Sequence, residues 1–166
     1  HGLDINDFAV FIARVNLLFT VFDLIAKTRT DVVFNVHEAN SLMGPEEVEQ
    51  FASAQDGGIA IPAITEGERV RLGRYDFVVG NPPYVRAERI PDQDRASIQR
   101  IYSRVAEHNV DLAGYFVYRS IQWLAEDGTF SMIVPRAITD AGFSAKLRVE
   151  LAASDITVTE LTPLDW

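Results

Sequence analysis

Residues 75–86 read YDFVVGNPPYVR. The run Phe77-Val78-Val79 has the β-branched and aromatic make-up of a core strand, and it passes through Gly80 straight into Asn81-Pro82-Pro83-Tyr84. Neither proline can donate to a sheet ladder, so the strand ends at Gly80, and residues 81–84 rigidly present a carboxamide and an aromatic ring. The Asn81 carbonyl accepts a hydrogen bond, and the carbonyl of Pro82 offers a second acceptor at an angle that the locked φ fixes. Two acceptors side by side suit an NH2 group. An amine conjugated to a ring is a poor nucleophile because its lone pair is delocalised. Accepting both of its protons localises that pair, and the nitrogen can then attack an electrophilic methyl sulfonium held in line, with positioning and electrostatics carrying the rate. The Tyr84 ring gives a planar substrate a face to stack on.

Outward from this stretch the chain alternates strands and helices. HGLDIN reads as the tail of a strand, and Asn6 or Asp7 can cap a helix over 7–28. DVVFNV at 31–36 reads as a second strand, followed by HEANSLMG. Residues 44–74 lack a strong period and contain DGG and two prolines, which predicts a long, partly ordered excursion. Beyond the proline motif come a polar helix over 91–107 with Pro91 in its first turn, an amphipathic helix over 111–125, a strand over 130–135, a helix over 141–153 and a last strand, ITVTEL. The pattern predicts an α/β fold, mostly parallel, with helices on both faces of the sheet, in which ligands sit at the carboxyl ends of the strands. Asp4, Asn40, Asn81 and Pro135 all fall at such ends.

The length of 166 residues suits one domain with a real core. With no cysteine there is neither a disulfide framework nor a thiolate zinc site, and the three histidines lack ligand spacing, so no metal is expected. The net charge of −9 argues against non-specific adhesion to nucleic acid. Its distribution is uneven: between Arg69 and Arg104 eight arginines face four acids, so that segment is +4 and the remainder −13. Arg86 and Arg89, next to the proline motif, are candidate phosphate contacts. The apolar stretch 8–26 approaches the length of a membrane span, but Arg14 and Asp23 lie inside it at about 2.5–3.5 kcal/mol each near a bilayer centre. Asn16, Thr20, Asp23 and Lys27 form a polar stripe, so the helix is expected to pack against protein rather than lipid.

DFVVGNPPYVR resembles motif IV of amino-group methyltransferases that use S-adenosylmethionine, and among them the adenine-N6 DNA methyltransferases of restriction–modification systems. The flanks resemble the same family in the same order. HGLDINDFAVFIARVNLL is similar to motif II, which implies that Asp4, with Ile5 beside it, holds the cofactor ribose. HEANSLMG is similar to motif III, which implies that Asn40, with Ser41 and Leu42, contacts the cofactor adenine. DLAGYFVYRSIQWLAEDGTFSMIVP resembles the helix and strand after the catalytic loop, and AGFSAKLR the region that sets an aromatic ring, here Phe143, against an extruded base. Read without the resemblance, Asp4 is also placed to cap a helix, Asn40 to make a local turn and Phe143 to pack in a core.

The resemblance implies a Rossmann-like class I methyltransferase sheet. It implies a catalytic set of Asn81, Pro82, Pro83 and Tyr84, with Asn81 also beside the cofactor, and an adenine flipped out of double-stranded DNA between Tyr84 and Phe143. The glycine-rich motif I of that family does not occur here. Residues 1–166 are therefore expected to be an internal piece of a catalytic domain, lacking the first strand and a target-recognition region. By itself the piece is expected neither to bind the cofactor well nor to methylate, its partner being the rest of its parent polypeptide in a prokaryotic cytoplasm. The same four-residue motif also serves methyltransferases of RNA guanine and of protein glutamine, because it reports a planar amine rather than a particular one. It also satisfies the Asn-Pro-x-Tyr pattern of interaction modules, but such a segment must be free to add to a partner's sheet, whereas DFVVG reads as a core strand.

Overall fold

The computed structural model describes residues 1–28, 31–42, 59–62, 69–107, 110–135, 138 and 145–154. The chain divides into two compact units, His1–Tyr75 and Asp76–Trp166.

In the first unit β1 (Gly2–Asp4) and β2 (Val36–Glu38) pair in parallel, Gly2 opposite Val36 and Asp4 opposite Glu38. Parallel neighbours need a crossover, and α1 (Asp7–Thr28) supplies it, packing on both strands. Asn6 is its N-cap: the Asn6 Oδ1 accepts the Ala9 N–H at 3.0 Å, and the Asn6 carbonyl accepts the Val10 N–H at 3.0 Å. Asp7 in the first turn and Lys27 in the last complement the helix dipole. Arg14 has a structural use inside an apolar run, because its Nε donates to the Val36 carbonyl at 3.0 Å and its Nη2 to the same oxygen, tying α1 to β2.

Two expectations for this unit change, and the excursion 44–74 gains an element. The second strand is Val36–Glu38 rather than 31–36: β1 offers only residues 2–4, and the Asn35 carbonyl already receives the Gly2 N–H at 2.7 Å, so residues 31–34, with β-branched Val32 and Val33, meet no ladder partner among the described residues. The excursion 44–74 contains an antiparallel hairpin of β3 (Ile59–Pro62) and β4 (Arg69–Leu72), Ile59 opposite Leu72. Most of all, α1 is not packed against protein along its length. Only Val10 is buried, while Phe8, Phe11, Phe19, Phe22 and Leu24 are exposed. The reason is size: a helix of 22 residues is about 33 Å long, whereas three-residue strands reach about 10 Å. By length and composition α1 is long and apolar enough to cross a membrane.

In the second unit β5 (Tyr75–Gly80, entered from the last residue of the first unit) pairs with β6 (Leu124–Met132), and the Ile133 N–H extends the contact to the Gly80 carbonyl at 3.2 Å. Between them lie a 3-10 turn (Ala87–Arg89), α2 (Asp92–Ile101) and α3 (Leu112–Gln122); α4 (Ala145–Ala153) comes after β6. Ile98, Tyr102, Val105, Val110, Ala113, Tyr115, Val117 and Leu147 are buried and make the core. Gly114 sits where α3 runs close to its surroundings: a Cβ there would lie 2.9 Å from Val110 Cγ1 and 3.7 Å from Leu147 Cδ2.

Here α2 is shorter than 91–107, with Pro91 as its N-cap rather than in its first turn, because the chain turns at Tyr102–Val105 to bury Tyr102 and Val105. α3 stops at Gln122, and β6 starts at once on buried Leu124 instead of at 130. β5 itself is not a core strand throughout. Phe77 and Val79, which alternation puts on one face, are 77% and 79% exposed, since among the described residues β5 has β6 as its one sheet neighbour and no element covers that face. Residues 141–144 and the expected strand 156–161 lie outside the described residues. The α/β class holds, with the described strands standing in three two-stranded sheets.

Candidate active site

The loop after β5 is held by its proline and open at its polar ends. Pro82 is buried, while Asn81, Pro83 and Tyr84 are exposed, Tyr84 by 54%. The Tyr84 hydroxyl lies 2.9 Å from the Asn81 Oδ1 and 3.1 Å from the Ile133 carbonyl oxygen. A phenol has one proton, so it donates to one of these acceptors at a time. The Asn81 carboxamide oxygen is thus an acceptor within reach of Tyr84, with a second acceptor beside it on the chain after β6. Downstream, the Leu112 N–H donates to the Val85 carbonyl at 2.9 Å, and the Ala87 N–H donates to the Asp111 Oδ1 at 2.9 Å.

Arg86 and Arg89 flank this loop, and both are exposed. Arg95 does not join them. Its Nη2 donates to the Ile90 carbonyl at 2.8 Å and its Nη1 lies 3.6 Å from Asp92, so it braces the start of α2.

In the first unit Asp4 and Asn40 come together at the carboxyl edge of β1 and β2, where the Ala39 N–H donates to the Asp4 carbonyl at 2.8 Å. Each makes one local bond. Asp4 Oδ1 accepts the Asn6 N–H at 2.8 Å, and Asn40 Oδ1 accepts the Leu42 N–H at 3.1 Å, an Asx turn. Asp4 Oδ2 and the Asn40 amide NH2 remain without a partner among the described residues. Ile5 is exposed, Ser41 half-buried and Leu42 buried. Phe143 lies outside the described residues. Among those residues no group of three or more metal-ligating side chains occurs.

Two contributors escaped the sequence reading. Asp111 is visible in sequence only as the first residue of the expected helix 111–125, and nothing local tells that its carboxylate reaches residue 87. Ile133 acts through its backbone, for which side-chain patterns carry no signal.

The chain is 37% identical over 75 residues to a type II methyltransferase, M.BstVI, of Geobacillus stearothermophilus, covering 45% of this chain and 13% of that protein. It is 33% identical over 90 residues to the modification methylase CviBIII of Paramecium bursaria Chlorella virus NC1A, covering 54% and 22% respectively. To the adenine-specific methyltransferase PglX of Streptomyces coelicolor it is 33% identical over 102 residues, covering 51% of this chain and 8% of that protein. The matched chain thus spans less than a quarter of each of these relatives. The family described as Eco57I restriction-modification methylase matches residues 1–160, nearly the whole sequence. On that match the chain belongs to the Eco57I restriction-modification methylase family.

Proposed function

We propose that residues 1–166 form part of a DNA methyltransferase that moves a methyl group from S-adenosylmethionine to the N6 amino group of an adenine flipped out of the duplex. The observation that carries this reading is the loop after β5, where buried Pro82 holds an exposed carboxamide and an exposed aromatic residue one hydrogen bond apart. Membership of the family and the adenine-specific name of one relative support it.

Asp4 Oδ2 suits the ribose hydroxyls of the cofactor, and the Asn40 amide suits its adenine ring, since both groups are polar, belong to the carboxyl edge of the same strand pair and are unengaged among the described residues. When bound, the cofactor supplies an electrophilic methyl carbon. Asn81 Oδ1 and the Pro82 carbonyl accept the two amine protons, while the Tyr84 ring stacks on the base. As the amine arrives, the Tyr84 hydroxyl can leave Asn81 for the Ile133 carbonyl, which lies 3.1 Å away. With Asp4 and Asn40 holding it, the cofactor would supply its methyl group to the amine that Asn81 and Pro82 orient, its sulfur keeping the electron pair of the carbon–sulfur bond, and the displaced amine proton would pass to solvent. With DNA as substrate, the working place is a prokaryotic cytoplasm.

The test is transfer of labelled methyl groups into DNA, RNA and protein by the polypeptide that carries this chain. The expected product is N6-methyladenine in DNA, with Asn81→Ala lowering the rate by about a hundredfold or more, as for loss of a positioned polar group at a reacting centre. Label appearing in RNA guanine or protein glutamine instead would move the substrate assignment.

A further inference from the structure

We infer that Asp111 is a positioning residue for the catalytic loop: its carboxylate, acting with the Leu112 N–H, fixes residues 85–87 and through them the placement of Asn81 and Tyr84. The inference rests on the function proposed above and adds a residue to that site. Asp111 stands at the N-cap of α3, yet its side chain makes no bond to its own helix. Instead the Asp111 Oδ1 accepts the Ala87 N–H at 2.9 Å, and the neighbouring Leu112 N–H donates to the Val85 carbonyl at 2.9 Å. The two bonds bracket Arg86, which is extended at φ −65° and ψ 150°, so residues 111 and 112 hold the loop as a ladder partner holds a strand.

The loop needs such help. Pro82 and Pro83 bring no N–H, so two of its residues cannot pin it through backbone donors. Ala87 is 6% exposed, and its N–H left without an acceptor would be a buried orphan. The far side of the loop is held through Tyr84 and Ile133, so Asp111 closes the second of two fixings. A small slackening of a positioned group is enough to slow a reaction that depends on alignment.

Two variants of the polypeptide carrying this chain separate the bond from the charge. Asp111→Ala removes the acceptor. Asp111→Asn removes the charge but keeps an acceptor oxygen and a good helix cap. In Asp111→Ala, kcat for methyl transfer should fall about tenfold with the KM for cofactor within about twofold. The Ala87 amide should exchange about tenfold faster while the Val117 amide in the core of α3 stays protected. Asp111→Asn should return both readings to near the parent values. Unchanged kcat and Ala87 exchange in Asp111→Ala would overturn the inference, and so would an Asp111→Asn variant as impaired as Asp111→Ala. If the parent methylates no DNA at all, the functional reading fails, and the exchange of Ala87 still decides whether Asp111 holds the loop.

Discussion

Tyr84 combines two tools that ordinary substitutions can separate. The residue is exposed and its ring is flat, and its hydroxyl bridges the Asn81 carboxamide and the Ile133 carbonyl. Base–aromatic stacking is worth about 1–3 kcal/mol per base, whereas one hydrogen bond between neutral groups is worth about 1 kcal/mol net. Tyr84→Ala should therefore weaken DNA methylation by about tenfold or more, read as kcat/KM for DNA. Tyr84→Phe, which keeps the ring and releases Asn81, should stay within about fivefold of the parent. Equal losses in both variants would transfer the role from ring to hydroxyl. Much of this residue-level picture is legible in sequence, because two prolines after a strand leave Asn81 and Tyr84 little freedom. The acceptor at Ile133 is not legible, since it lies 49 residues away and is a backbone atom. Asp4 and Asn40 show the converse limit. Both local roles that their residue types suggest, a bond near a helix start and an Asx turn, are present, and each still keeps a polar atom unengaged among the described residues.

Where α2 turns toward α3, the polar groups are interior ones. Tyr102 is 1% exposed and its ring meets Tyr115 at 5.6 Å and Tyr118 edge-on at 6.2 Å, while the buried Arg119 guanidinium lies 5.4 Å from the Trp123 ring. Burial pushes the Tyr102 phenol up to about 12 from its ordinary 10, with nearby Arg119 pulling the other way. Burial lowers the Arg119 guanidinium for the same reason, charge being costly away from water. A raised phenol favours the neutral form in the fold, so its contribution is whole below pH 10 and is lost as pH rises from 10 to 12. At about 1.4 kcal/mol per pKa unit that loss is about 2–3 kcal/mol. Urea unfolding monitored across this window should lose stability steeply in the parent and less steeply in Tyr102→Phe. An unchanged slope in Tyr102→Phe would place the titration on Tyr115 or Tyr118, whose phenols burial also raises. The elements themselves are unevenly legible. α1 shows its bounds in sequence because Asn6 caps a long apolar run. β2 and β6 do not, because a strand lies where its partner lies, and propensity alone cannot say that residues 31–34 have no ladder partner among the described residues or that β6 begins at Leu124.

Over the whole molecule, the alternation of strands and helices gives the α/β class, but alternation counts elements and does not assemble a sheet. The described strands pair two by two, and the apolar residues on α1 and on one face of β5 stay exposed where periodicity predicted a covered core. Charge is the property of the whole chain that bears on its proposed substrate. A net charge of −9 repels a polyanion, and the +4 stretch from Arg69 to Arg104 is the exception. Within it the arginines differ in use, which the sequence could not tell: Arg95 is engaged by the Ile90 carbonyl and Asp92, whereas Arg86 and Arg89 flank the loop with solvent access. An arginine that neutralises a phosphate releases about one counterion on binding, so each contact adds about one to the slope of log affinity against log salt. In the polypeptide that carries this chain, Arg86→Ala and Arg89→Ala should each flatten that slope by about one for duplex DNA and weaken binding alike across sequences. Arg95→Ala should lower the stability of the fold and leave the slope as it was. A slope indifferent to Arg86 and Arg89 would mean that the phosphates are gripped elsewhere in the polypeptide, and that the positive stretch serves the fold alone.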